Sequence, residues 1–175
     1  RRRGEVDRAI RLHQNLVART GLSEEQKTRA ALELGEDYMR AGLLDRAETL
    51  FNDLVQMGVH APKALQQLIT IYQAERDWPQ AIAHALKYEQ ITGEPMGESV
   101  AHYYCEVAEK YIHENNLKSA RDQIVLAYSS DSQCVRAGMI EGRLDLMENN
   151  DAGAIRAFER VARHDVDFLP PEANE

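Results

Sequence analysis

The side chains best suited to chemistry in this 175-residue chain are His102, Cys105, Glu109 and His113. Spaced by three and four, they fall along one stripe if this stretch is helical, and imidazole, thiolate and carboxylate are all zinc-ligand types. Their span argues against a single ion, because positions 102 and 113 lie roughly 16 Å apart along a helix axis. His102 with Cys105 would need ligands from elsewhere, and no Cys-x-x-Cys pair supplies them. These residues therefore read as polar wall positions, with no metal and no cofactor in this chain. The second cysteine is Cys134; two cysteines without a paired pattern give no disulfide framework and suggest a reducing compartment. There is no phosphate loop, no G-x-S-x-G and no HExxH, so an enzyme is not expected.

Composition narrows the remaining classes. The net charge is −8, against a general nucleic-acid binder, and a triplet of arginines at positions 1–3 is too short to reverse that. Hydrophobic residues make up 43%, enough for a core, yet no apolar run approaches the ~18 residues of a membrane span. The sequence opens without Met and in mid-pattern, so it is expected to be a piece of a longer protein whose targeting or anchoring segments lie elsewhere.

The elements that position any site come from a repeat. In LGEDYMRAGLLDRAETLFNDL, residues 34–54, Leu34 and Tyr38 share one helical face. Leu44, Ala47, Phe51 and Leu54 share the next, with Gly42 at the turn between them. Gly35 is small enough to admit a neighbouring helix. Taking the small residue of each second helix as a mark gives Ala9, Ala47, Ala81, Ala120 and Ala154, with steps of 38, 34, 39 and 34 residues. A step near 34 is the tetratricopeptide (TPR) period. The expected fold is all-α: a TPR-type right-handed α-solenoid of helix–turn–helix repeats, about four and a half of them, forming a single domain over 1–175. The units run approximately 1–20 (a half repeat), 22–58, 61–92, 98–130 and 132–165. Residues 166–175 are a truncated further repeat or a tail, with Leu169–Pro171 as its opening. Ser23 and Gln26 make a capping box, Asp77 caps before Pro79, and Asn150 or Asp151 caps the last helix. In the last unit Ala154, Ile155, Phe158 and Val161 are assigned inward, while Glu141 takes a site that is usually apolar.

Stacked repeats leave the first helix of each pair lining a concave wall. Its outward positions are Arg29, Leu32, Glu36, Met39 and Arg40; Lys63, Gln66, Thr70 and Gln73; His102, Cys105, Glu109, Ile112 and His113; and Arg136, Met139, Arg143 and Leu146. The candidate binding set among these is Arg29, Glu36, Met39, Arg40, Lys63, Gln66, Gln73, His102, Glu109, His113, Arg136 and Arg143. Arg and Met favour a protein or peptide ligand, acidic or mixed in charge. A clamp for a terminal carboxylate, built from Lys and Asn, is absent: the corresponding positions read Leu32, Gln66 and Cys105, then Glu36, Thr70 and Glu109. The exposed flank of the first half repeat is a candidate for self-association.

Four phrases are more specific than the repeat. RGEVDRAIRLHQNL (3–16), residues 34–54, ALQQLITIYQ (64–73) and AHYYCEVA (101–108) resemble the lipopolysaccharide assembly protein B family of Gram-negative bacteria. The resemblance implies an adaptor at the cytoplasmic face of the inner membrane, anchored by an N-terminal helix and carrying a C-terminal metal domain, both absent here. It implies FtsH and LpxC as partners, with FtsH-mediated turnover of LpxC limiting lipopolysaccharide synthesis. The alternative is a generic TPR scaffold for another envelope assembly or secretion complex.

Overall fold

A computed structural model describes residues 2–164, and every regular element among them is an α-helix. The expected opening of a further repeat after position 165 lies outside the described residues. The helices fall into two compact units, Arg1–Glu94 and Pro95–Glu175. The first holds α1 (Arg2–Ala18), α2 (Glu24–Arg40), α3 (Leu44–Gln56), α4 (Ala61–Glu75) and α5 (Trp78–Thr92). The second holds α6 (Gly97–His113), α7 (Leu117–Ser130), α8 (Val135–Met147) and α9 (Asp151–His164).

The same turn closes each helix pair. Gly42, Arg76, Asn115 and Asn149 all take left-handed backbone, with φ of 75°, 57°, 57° and 59°. After each of them an N–H reaches back across the helix end. Leu43 bonds Tyr38 O at 2.8 Å, Asp77 bonds Tyr72 O at 2.9 Å, and Asn116 and Asn150 bond Tyr111 O and Asp145 O at 2.8 Å. These bonds satisfy carbonyls that the ending helix leaves open. Each left-handed residue stands five positions before one of the alanine marks, so one local device sets the phase of all four hairpins. Glycine takes this backbone freely, whereas Arg76 adopts it at a steric cost.

Caps at the other helix ends follow the sequence. Ser23 Oγ accepts from Gln26 N–H at 3.2 Å and Gln26 Oε1 accepts from Ser23 N–H at 3.0 Å. Asp77, Asn116 and Asn150 cap α5, α7 and α9 through the N–H groups of Gln80, Ser119 and Gly153.

Within each pair the alanine marks form the seam. Ala47, Ala81 and Ala120 are fully buried and Ala154 nearly so. Gly35 faces the buried Phe51 ring, and Gly142 faces Phe158 in the same way. Only a residue without Cβ allows those rings to lie against the first helix. The last unit departs from expectation at Ile155, which is 57% exposed, while Ala157 takes the inward place at 2%. Glu141 is accommodated by polar partners: Tyr128 O–H donates to it at 2.8 Å and Arg160 pairs with it. Trp78 is only half-buried at the start of α5.

Candidate functional site

The helices that offer a wall are α2 and α4 in the first unit and α6 and α8 in the second, and each unit has its own arrangement. In the first, α2 packs against α1, α3 and α4, so it is enclosed on more than one side. That is why Leu32, assigned outward from the sequence, is 5% exposed. Beyond that covered row the candidate residues do reach the surface. Glu36 pairs with Lys63 of α4 and with Arg40, each at 3.5 Å. Arg29 pairs with Glu33 at 3.6 Å, and Gln66 donates to Tyr88 O–H at 2.8 Å. Tyr88 in turn donates to Glu94 at 2.5 Å, an acceptor that holds the phenol above its ordinary range. Gln66 is thereby a buttress between α4 and α5 as well as a wall residue. Gln73 is exposed and Met39 half-buried.

Arg40 does more than line the wall. Its guanidinium sits 2.5 Å from Asp37, a carboxylate only 2% exposed, whose other oxygen meets His13 Nδ1 of α1 at 2.6 Å. Unit two repeats the device: Asp145 of α8 is 5% exposed, takes Arg121 of α7 at 3.0 Å and is also bonded by Asn150. Both carboxylates sit 24 residues after their partner on the preceding helix. Sequence reading missed them, and no shared offset from the alanine marks signals them: Asp37 precedes Ala47 by ten residues and Asp145 precedes Ala154 by nine. Beside the first of these, Glu5, Val6, Ala9, Asp37 and Arg40 border an open cleft of about 580 Å³. Ala9 is half-buried there, unlike its four buried counterparts.

In the second unit α6 and α8 lie side by side, and their facing rows are covered. Cys105 is fully buried and Ile112 half-buried against the core, although both were assigned outward. The four potential ligands considered first therefore do not share a face: His102 and His113 are exposed, Glu109 is half-buried and Cys105 is internal. No group of three or more His, Cys, Asp or Glu among the described residues is arranged to hold a metal ion. What the pair of helices does build is a ladder of charges. Arg136 pairs with Glu106 at 2.7 Å and contacts the His102 ring at 3.1 Å, and Arg143 pairs with Glu109. Next to the ladder, α8 exposes apolar side chains: Met139 and Leu146 at 50%, Met147 at 45% and Val135 at 41%.

The ladder changes the electrostatic expectation. Arg40 and Lys63 in the first unit, and Arg136 and Arg143 in the second, are each met by a carboxylate, so each unit's wall is close to neutral locally and not a free cationic trap. Half-exposed ion pairs of this kind are worth little and exchange partners easily. The arrangement can offer apolar anchorage on α8, with arginines available to a competing carboxylate.

No protein-family model matches the chain. The curated sequence comparison bears out the resemblance read from the residues. The chain is 38% identical to lipopolysaccharide assembly protein B of Escherichia coli strain K12 over 169 residues, 97% of this chain and 43% of that protein. It is 34% identical to the protein of the same name from Haemophilus influenzae over 168 residues, 96% of this chain and 42% of the relative. The chain thus spans less than half the length of the curated relatives it matches. Among solved structures it is similar to MamA AMB-1, with a TM-score of 0.54 at 14% identity over 98% of this chain and 88% of the other. MamA from Desulfovibrio magneticus RS-1 gives a TM-score of 0.51 at 14% identity, covering 97% and 90%. These likenesses agree with the TPR-type helical fold.

Proposed function

We propose that this chain is the protein-gripping middle of an adaptor related to lipopolysaccharide assembly protein B. In this reading it holds LpxC for degradation by FtsH, at the cytoplasmic face of the inner membrane. The observation that carries the gripping role is the α8 surface: Met139 and Leu146 half exposed, flanked by Arg136 and Arg143. Met and Arg are enriched where proteins meet, because one adapts its shape and the other pairs with carboxylates. Support for the particular partners is the similarity to the named relatives along almost the whole chain. No described helix is long and apolar enough to cross a membrane.

The test uses the full-length protein carrying Met139→Glu together with Leu146→Glu. The expected result is loss of LpxC or FtsH from the co-purified material and a rise in cellular LpxC. Unchanged LpxC, with unchanged partners, would remove the proposal. Recovery of different envelope proteins by crosslinking at position 139 would favour another client for the same surface.

A further inference from the structure

The sulfurs of Cys105 and Cys134 lie 4.0 Å apart although 29 residues separate them in sequence. Both are free thiols. Cys105 sits inside α6, fully buried in one core cluster with Ala101, Ala108, Ala137 and Leu144. Cys134 is the residue just before α8, half-buried, and lines a small cavity of about 10 Å³ with Tyr128 and Gly138. A disulfide requires sulfurs about 2 Å apart, so the pair must close by about 2 Å. Cys134 is placed to supply that movement: it belongs to the short turn between α7 and α8, where its N–H bonds Asp131 O at 3.2 Å.

We infer that Cys105 and Cys134 form an oxidation site, which hydrogen peroxide converts to an intramolecular disulfide tying α6 to the start of α8. The half-exposed thiol meets the oxidant first. Cys134 sulfur takes one peroxide oxygen, the O–O bond breaks, and water leaves behind a sulfenic acid. Cys105 sulfur then attacks Cys134 sulfur; the S–O bond breaks, and the departing hydroxide carries off the Cys105 proton as a second water. Two thiols lose two electrons and two protons, and both peroxide oxygens end as water. Burial pushes the Cys105 thiol up to about 12, which leaves peroxide to the half-exposed Cys134. The bond would close beside the surface ladder, since Glu106 follows Cys105 and its partner Arg136 stands two residues after Cys134. Formation of the disulfide does not depend on what that ladder binds.

The purified chain is treated with hydrogen peroxide, denatured, alkylated with iodoacetamide and weighed intact. The expected product is a monomer lighter by two hydrogen atoms that takes up no alkyl group. Dithiothreitol restores both thiols, and digestion without reductant yields one peptide pair joining positions 105 and 134. Cys134→Ser leaves Cys105 fully alkylated after peroxide, and Cys105→Ser leaves Cys134 as a sulfenic acid or in dimers. Two results would overturn the inference: a native chain in which Cys134 is over-oxidised while Cys105 still alkylates, or one linked only between molecules.

Discussion

Gly35→Ala sets two known effects against each other, and the structure decides which one wins. In a helix interior, replacing glycine with alanine contributes about 1 kcal/mol of stability through propensity. At Gly35, however, an added Cβ would lie 2.6 and 2.7 Å from Cε1 and Cζ of Phe51. Ordinary carbon contacts lie at ~3.5–4.0 Å, so the ring must retreat by about 1 Å. It has nowhere to go: Phe51 is fully buried, with Ala47 on the same seam also at 0% exposure. Overpacking of this kind costs about 1–3 kcal/mol, so the net expectation is a loss of up to about 2 kcal/mol. For a chain of this length that lowers the thermal midpoint by up to roughly 8 °C. The assay is thermal and urea unfolding followed by far-ultraviolet circular dichroism. Gly4→Ala serves as the control, because nothing lies within 4 Å of its added methyl and it should be neutral or slightly stabilising. Gly35→Ala with Phe51→Leu should recover part of the loss as a favourable coupling. If Gly35→Ala raised stability as Gly4→Ala does, or the double variant were strictly additive, the seam argument would fail.

Three further outcomes follow from the buried polar groups. Asp37→Ala removes two charge-assisted hydrogen bonds from a buried site, leaving His13 with Glu33 and Arg40 with Glu36, and should cost about 1–3 kcal/mol in denaturant unfolding. Arg143→Glu and Arg40→Glu should separate, although both arginines face solvent. The first sets an acid against solvent-screened Glu109 and should change stability by less than about 1 kcal/mol, whereas the second sets one against buried Asp37 and should lower the melting midpoint clearly. Tyr72 is 5% exposed and donates to Glu48 at 2.7 Å; burial first, then that carboxylate, pushes its phenol up to about 12. The folded chain thus keeps this proton to higher pH than the unfolded chain, whose tyrosines titrate near ~10. The associated stability is complete below about 10 and lost between about 10 and 12. Tyr72→Phe should flatten that part of the stability profile; an identical alkaline profile would contradict the assignment.

The helices, their phase and their caps were legible in the order of residues because they depend on neighbours a few positions away. Spacings of three and four carry an apolar face, Ser23 and Asp77 mark helix starts, and Gly42 permits left-handed backbone. Five alanine marks in one phase then identify the repeat. Arg76, Asn115 and Asn149 complete the same turn, and only the coordinates reveal it at Arg76, a residue type that does not advertise positive φ. What tertiary structure alone decided is which side of a first helix is covered. Adjacent first helices pack side by side, so Leu32 and Cys105 are internal while Glu36 and Glu109 emerge, and a rotation of part of a turn separates the two fates. The same contacts bury Asp37 and Asp145 against partners on other helices, bring Cys105 to Cys134, and answer each arginine of the wall with a carboxylate. Periodicity fixes where a residue points on its own helix, but pairing energy and burial depend on what another helix places opposite, and that distance in sequence carries no local signal.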